Sequence, residues 1–240
     1  SGIDFLVGIR NDRHDNFGRE TTYKTALNYT YEDFSLSLKS SYGKGFKAPS
    51  LYNLYSAYGS ASLQPEISNN FDLAIYKYFK NGLCSLTYFN NRFKELIDFD
   101  YTNWIYYNVN RAKSYGYEFE FNYDFSSFPV MVDIQYTYMQ TESANGKQLL
   151  LRPEHKGEAI INYDINNFKF SPSLRYVGKR YDVPYVEIPS HIIFDFYCKY
   201  KMKNCAIQFQ LNNIANKQYE ETEGYGAAGR NFVIGMDFNF

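Results

Sequence analysis

The stretch Tyr115-Gly116-Tyr117-Glu118-Phe119-Glu120-Phe121-Asn122-Tyr123-Asp124-Phe125 decides the architecture. Its odd positions hold Tyr115, Tyr117, Phe119, Phe121, Tyr123 and Phe125, and its even positions hold Gly116, Glu118, Glu120, Asn122 and Asp124. A period of two sorts these residues into one aromatic and one polar face, whereas a helix would scatter both sets around its axis. Such a strand suits lipid on one side and a wet or plugged lumen on the other. The competing reading is a soluble β-sandwich or β-helix. A sandwich prefers shorter strands and has no use for Tyr and Phe along whole strands opposite Glu, Asp and Asn.

The same alternation spreads in both directions. Val130, Val132, Ile134, Tyr136 and Tyr138 oppose Met131, Asp133, Gln135 and Thr137. At the end of the chain Phe232, Ile234, Met236, Phe238 and Phe240 oppose Asn231, Val233, Gly235, Asp237 and Asn239. The pattern predicts about twelve strands, many of the ten-residue length of tilted membrane strands. They fall at 3–10, 19–31, 33–44, 67–80, 82–97, 112–126, 128–140, 155–165, 168–181, 190–200, 204–213 and 229–240.

The connections alternate in length. Short ones are Glu32-Asp33, Lys80-Asn81-Gly82, Ser126-Ser127, Asn166-Asn167 and Lys201-Met202-Lys203, with Asn, Asp, Gly and Ser supplying tight turns. Long ones run 11–18, 45–66, 98–111, 141–154, 182–189 and 214–228. Short turns on one rim and long loops on the other describe an antiparallel transmembrane β-barrel of a bacterial outer membrane, with the short side periplasmic. An even strand count leaves both chain ends on that rim, and no linker divides the chain.

Composition agrees. The 240 residues include 26 Tyr and 21 Phe but 1 Trp, and the net charge is −1. No basic field points to nucleic acid. No apolar run of about 18 residues is present, so a membrane helix is excluded. Mean hydropathy is negative, as expected when lipid-facing and lumen-facing residues alternate. The chain opens at Ser1-Gly2 and is soon inside a strand, which reads as a mature fragment, a truncation or one piece of a split protein.

Glu118, Glu120, Asp124, Asp133, Lys169, Arg175, Asp195 and Asp237 fall on inward faces. Their ordinary role is to solvate the lumen and meet a plug, because a charge facing lipid costs about 2–4 kcal/mol at the midplane. His14, His155 and His191 are far apart and show no metal-ligand spacing. No nucleophile motif points to an outer-membrane hydrolase, so no enzyme, metal or cofactor is expected. Cys84, Cys198 and Cys205 form no CxxC. Cys198 and Cys205 are expected opposite each other across a hairpin on the apolar side, as lipid-facing hydrophobes or a cross-strand disulfide.

The long loops carry Tyr55, Tyr58, Trp104, Tyr106, Tyr107, Tyr181, Tyr185 and Tyr225. Aromatics on loops offer broad contact area at low entropic cost for a large, flat, partly apolar ligand. Loop packing and the interfacial girdle are the alternative reading. Asn103 and Asp182 are polar neighbours placed to orient such a ligand.

Several stretches resemble TonB-dependent receptors. These are Gly45-Phe46-Lys47-Ala48-Pro49-Ser50-Leu51-Tyr52-Asn53-Leu54-Tyr55, Leu63-Gln64-Pro65-Glu66 and Asn213-Ile214-Ala215-Asn216-Lys217-Gln218-Tyr219. Ala215 stands where the family has a bulkier residue. The ending at Phe240, with Phe238 and Met236 on the same face, is similar to the aromatic signal read by the barrel-assembly machinery. Similarity to the cobalamin-transporter branch lies in Asp12 to Arg19, in Leu96-Ile97-Asp98 with Tyr106-Tyr107-Asn108, in Gly178-Lys179-Arg180-Tyr181-Asp182, and in Tyr219-Glu220 with Gly224 to Arg230. The resemblance implies the C-terminal half of a 22-stranded barrel around a plug. The plug and about ten strands would come from the same or a separate chain. It further implies outer-membrane lipid around the wall, TonB acting through the plug, and uptake of cobalamin or another corrinoid. Haem or a ferric siderophore is the alternative ligand, and a structural barrel or assembly substrate without ligand the alternative role.

Overall fold

The computed structural model describes residues 1–125 and 127–238. Its strands are β1 (Gly2–His14), β2 (Gly18–Tyr31), β3 (Leu36–Lys47), β4 (Glu66–Phe79), β5 (Gly82–Asp100), β6 (Ile105–Phe125), β7 (Val130–Ser143), β8 (His155–Ile165), β9 (Phe168–Val177), β10 (Arg180–Asp182), β11 (Val186–Ile188), β12 (His191–Lys201), β13 (Cys205–Asn212), β14 (Glu220–Thr222), β15 (Tyr225–Gly226) and β16 (Asn231–Phe238). Twelve of them form one antiparallel sheet in the order β1-β2-β3-β4-β5-β6-β7-β8-β9-β12-β13-β16, and β10-β11 and β14-β15 are small ribbons in the loops. The sheet is open. Among the described residues β1 and β16 each pair on one side only.

Register confirms the two faces. Glu118 stands opposite Thr87 and Thr137, Glu120 opposite Ser85 and Gln135, and Lys169 opposite Asp164 and Lys199. Leu86, Phe119 and Tyr136 share a row on the other face. The polar face is the concave one. A hollow of about 650 Å³ opens on it between Asp4, Lys24, Lys39, Asp72, Glu118 and Glu120. The opposite face exposes Ile3, Phe5, Leu27, Leu38, Ile75 and Leu86, an apolar expanse too large for water and suited to lipid. The most buried apolar side chains, Leu63, Ile188 and Ile193, lie in the loops and upper rim rather than in the middle of the wall.

Side chains stitch the polar face across the strands. Asn122 donates to Asp133, Asn162 Nδ2 donates to the second Asp133 oxygen at 3.2 Å, and Ser171 Oγ donates to Asn162 Oδ1 at 2.8 Å. This belt crosses β6, β7, β8 and β9. In β6 the backbone of β7 comes so close that a Cβ on Gly116 would overlap the Tyr138 carbonyl oxygen.

Several sequence expectations are corrected. The strands outgrow the membrane-length estimate, so the expected loop 11–18 is a turn at 15–17 and the loop 98–111 is a turn at 101–104. The strand expected over 168–181 stops at Val177, and Arg180–Asp182 pairs instead with Val186–Ile188 in a ribbon. The third strand starts at Leu36 rather than 33 because Glu32–Phe34 forms a 3-10 turn, closed by Ser35 at φ 47. Cys198 and Cys205 do not face each other. Cys198 pairs with Phe209, and Cys205 with Phe238, a register offset that sets them about 13 Å apart along the strands. All three cysteines are free. Within the terminal aromatic signal, Met236 pairs with Ile207 and Phe238 with Cys205, while Phe240, like Ser126 of the third short turn, lies outside the described residues.

Candidate ligand-binding cleft

The long-loop rim divides into two folded sides. The near side is the tip of the β5–β6 hairpin with loop 48–65 laid against it. Ser50 caps the short helix α1 (Leu51–Tyr55), accepting from Asn53 N at 3.1 Å while Asn53 Oδ1 accepts from Ser50 N at 3.0 Å. Asn108 then clips the loop down. Its Oδ1 accepts from Gln64 N at 2.8 Å, and its Nδ2 donates to the carbonyls of Gln64 and Glu95. Glu66 accepts from Ile97 N at 2.9 Å and pairs with Lys47. Tyr106 N donates to the Tyr58 carbonyl at 2.9 Å. Rings close the seam. Tyr58 lies 5.9 Å from Trp104 and 6.0 Å from Phe99, and Phe99 lies 4.9 Å from Tyr106.

The far side is held by charge. Arg180 is 3% exposed. It donates to the carbonyls of Glu220 and Glu221 and to the Glu221 carboxylate at 2.8 Å. Asp182, also buried, accepts from Val183 N at 2.7 Å and from Glu223 N at 2.9 Å. His191 stacks 4.2 Å from Tyr219 with Nε2 3.7 Å from Glu221. Burial pushes its imidazole below the ordinary histidine range, against the opposing pull of Glu221. Asn213, at φ 51, turns the chain out of β13. Its side chain exchanges hydrogen bonds with Lys217, and Asn216 Oδ1 accepts from Arg230 N at 2.9 Å. The Asn213-x-x-Asn216-Lys217 spacing is thus a loop-folding device.

Between the two sides opens a cleft of about 500 Å³, bordered by Asp98, Asp100, Tyr107, Asn108, Gln148 and Tyr185. Tyr185 sits at φ 88, a conformation a bulky residue adopts only when its surroundings impose it. Those surroundings are the Tyr181 ring, stacked at 4.6 Å, the Lys147 ammonium 4.8 Å from its ring centroid, and Gln148 N, which donates to its hydroxyl at 3.1 Å. The Asn103 side chain and the Asn103 and Thr102 amides hold the Asp100 carboxyl below the usual carboxylate range. Burial, then Asp98 and Asp100, push the Tyr107 phenol above its ordinary value. The cleft therefore sets two carboxylates, Asp98 and Asp100, against one ammonium, Lys147, beside the phenols of Tyr107 and Tyr185.

Of the residues singled out from sequence, Tyr107 and Tyr185 border the cleft directly. Tyr181 buttresses Tyr185, and Asn103 orients Asp100. Tyr58, Trp104 and Tyr106 form the near-side seam. Tyr55 borders a separate hollow of about 640 Å³ with Asn16 and Phe17. Asp182 has both carboxylate oxygens engaged by loop amides. Tyr225 is 74% exposed on β15 and borders no part of the cleft. Asp98, Asp100 and Gln148, all in the expected long loops, were missed as site residues because the search of those loops favoured aromatic side chains. The available signal was Asp98 and Asp100 alternating just before the aromatic turn at 101–104.

The comparisons with known proteins agree with this architecture. The family model described as "TonB dependent receptor-like, beta-barrel" matches residues 2–214. The Vitamin B12 transporter BtuB of Vibrio cholerae serotype O1 is 30% identical over 98% of this chain and 39% of its own length. The solved siderophore receptor PirA of Acinetobacter baumannii superposes with a TM-score of 0.86 at 19% identity, over 99% of this chain and 43% of that one. The copper transporter OprC superposes at 0.81 with 15% identity, over 92% and 40%. The chain thus spans about two fifths of the length of these relatives. A polar concave wall, an apolar convex wall, long loops on one rim and a family match over most of the chain make it a member of the TonB-dependent receptor family of bacterial outer-membrane β-barrels.

Proposed function

We propose that this chain is the C-terminal part of the barrel of a receptor that takes up cobalamin or a related corrinoid. The observation that carries the reading is the 30% identity to a vitamin B12 transporter across 98% of the chain, which takes in both sides of the cleft. Cleft chemistry supports it. A corrinoid presents a broad apolar ring system edged with amides, matching Tyr185, Tyr107 and Gln148. The carboxylates of Asp98 and Asp100 disfavour a strongly anionic ferric catecholate. In the complete receptor a plug fills the concave polar face. TonB pulling on that plug, powered by the inner-membrane proton gradient, opens the path, and the aromatic ending at Met236, Phe238 and Phe240 is what the assembly machinery reads.

The test is equilibrium binding to the complete receptor that contains this chain. Cyanocobalamin is expected to saturate it, and Tyr185→Ala to weaken binding about tenfold, the cost of losing one stacked ring. Saturable binding of haem or of a ferric catecholate without binding of cyanocobalamin would overturn the corrinoid reading. Binding of none of the three, with unchanged barrel assembly, would favour a purely structural barrel.

A further inference from the structure

The convex face changes character above its aromatic band. Register places Lys44, Asn69, Arg92, Lys113 and Glu142 in one row across β3 to β7. The next row outward continues with Lys94 opposite Arg111. The row beneath is Tyr42, Phe71, Asn90, Tyr115 and Gln140, and the one below that contains Leu73, Tyr88, Tyr117 and Tyr138. A basic crescent therefore sits directly on an aromatic girdle, on the face that meets lipid.

Position along the strands gives its depth. Counting from the short-turn rim at a rise of 3.3 Å per residue and a tilt of about 40°, the row lies roughly 20–30 Å up. That is the upper edge of an apolar band about 25 Å tall, where acyl chains give way to headgroups. Cations at that level on the lipid side face headgroups rather than bulk water, and each one that meets an anionic headgroup there is worth about fivefold in affinity.

The crescent is under-neutralised from within the chain. Lys44 pairs with Glu20, and Lys113 with Glu142 at 2.7 Å. Arg92, Lys94 and Arg111 take part in no ion pair or side-chain hydrogen bond among the described residues and are exposed. Arg92, Arg111 and Lys113 converge on a hollow of about 290 Å³ beside Glu142 and Ala144. Two guanidinium forks and an ammonium around a hollow are the donor set that grips a phosphate group, since guanidinium binds phosphate in paired fashion and ammonium adds a point charge. The row that runs across β12, β13 and β16 at Phe196, Leu211 and Phe232 is apolar instead, so the basic level does not run along the whole convex face.

We propose that Arg92, Arg111 and Lys113, flanked by Lys44 and Lys94, form a binding site for the phosphate groups of an outer-leaflet glycolipid on the convex face of β3 to β6.

The experiment uses the complete receptor in detergent micelles. It is titrated with bisphosphorylated lipid A or with the same lipid stripped of phosphate, and retained lipid is counted by native mass spectrometry. The receptor is expected to retain the phosphorylated lipid and not the stripped one. R92Q/R111Q is expected to lower that affinity about thirtyfold, while R92K/R111K, which keeps the charge but loses the paired hydrogen bonds, is expected to fall between that variant and the parent. Thermal unfolding checks that each variant is folded, and the charge-conserving pair keeps the test valid if the glutamine pair misfolds. Equal retention of both lipids, equal retention by R92Q/R111Q, or displacement of the lipid by equimolar inorganic phosphate would overturn the proposal.

Discussion

The two sides of the cleft solve one problem by different chemistry. The near side ties loop 48–65 to the β5–β6 tip with a neutral amide clip at Asn108 and a seam of rings. The far side ties the 178–190 and 213–230 segments together with a buried guanidinium, a buried carboxylate and a buried imidazole. Neutral hydrogen bonds lose little when salt or pH changes. A buried charge depends on each partner and leaves an expensive orphan when one is removed. The near side thus hangs chiefly on neutral contacts, with Glu66 its one buried charge, and the far side on three buried charged or titratable groups.

The largest expected break is Arg180→Ala. It strips the donors from the Glu220 and Glu221 carbonyls and leaves a hole, for about 3 kcal/mol of local stability. Hydrogen exchange in the complete receptor should show residues 213–230 opening while 48–65 stays protected. Equal opening of both would abolish the contrast. Asn108→Ala should do the converse at about 2 kcal/mol, exposing the Gln64 and Glu95 backbone groups and releasing loop 48–65 alone. Ser50→Ala removes the cap on α1 and should cost about 1 kcal/mol, visible as faster exchange at Asn53 N.

The smallest effect is a pH response confined to the far side. The folded His191 has its pKa lowered from 6.5, so the unfolded segment binds the proton more readily. Its contribution is complete above the unfolded value and is lost as pH falls below it. Exchange protection of 213–230 should therefore decline from pH 7 to pH 5. His191→Gln should remove that decline, and Asn108-dependent protection should not follow it. A decline of equal size on both sides would mean that His191 is not its origin.

The wall was legible from sequence because its signal is local. Each residue between Tyr115 and Phe125 declares its face by parity, and one polar residue on the wrong side would cost energy whatever the rest of the chain did. The loops were legible only in outline. Asp182 was expected to meet a ligand and instead holds Val183 and Glu223 amides, because its partner lies in another loop and no spacing rule links them. Strand ends were misjudged for a related reason. Alternation sized to the bilayer says nothing about pairing that continues beyond it, as β5 and β6 do to Asp100 and Ile105. Cys198 and Cys205 failed as a facing pair because register depends on where the hairpin closes. A shift of a few residues there moves every cross-strand partner.

The belt of Asn122, Asp133, Asn162 and Ser171 has a mechanical meaning. Running across four strands, it acts as a hoop on a set of staves, in parallel with the backbone ladder. Sliding one stave by a single residue would turn its belt member outward and break the hoop on both sides at once. Slip of β6, β7, β8 or β9 along its neighbours must therefore break side-chain bonds as well as the backbone ladder.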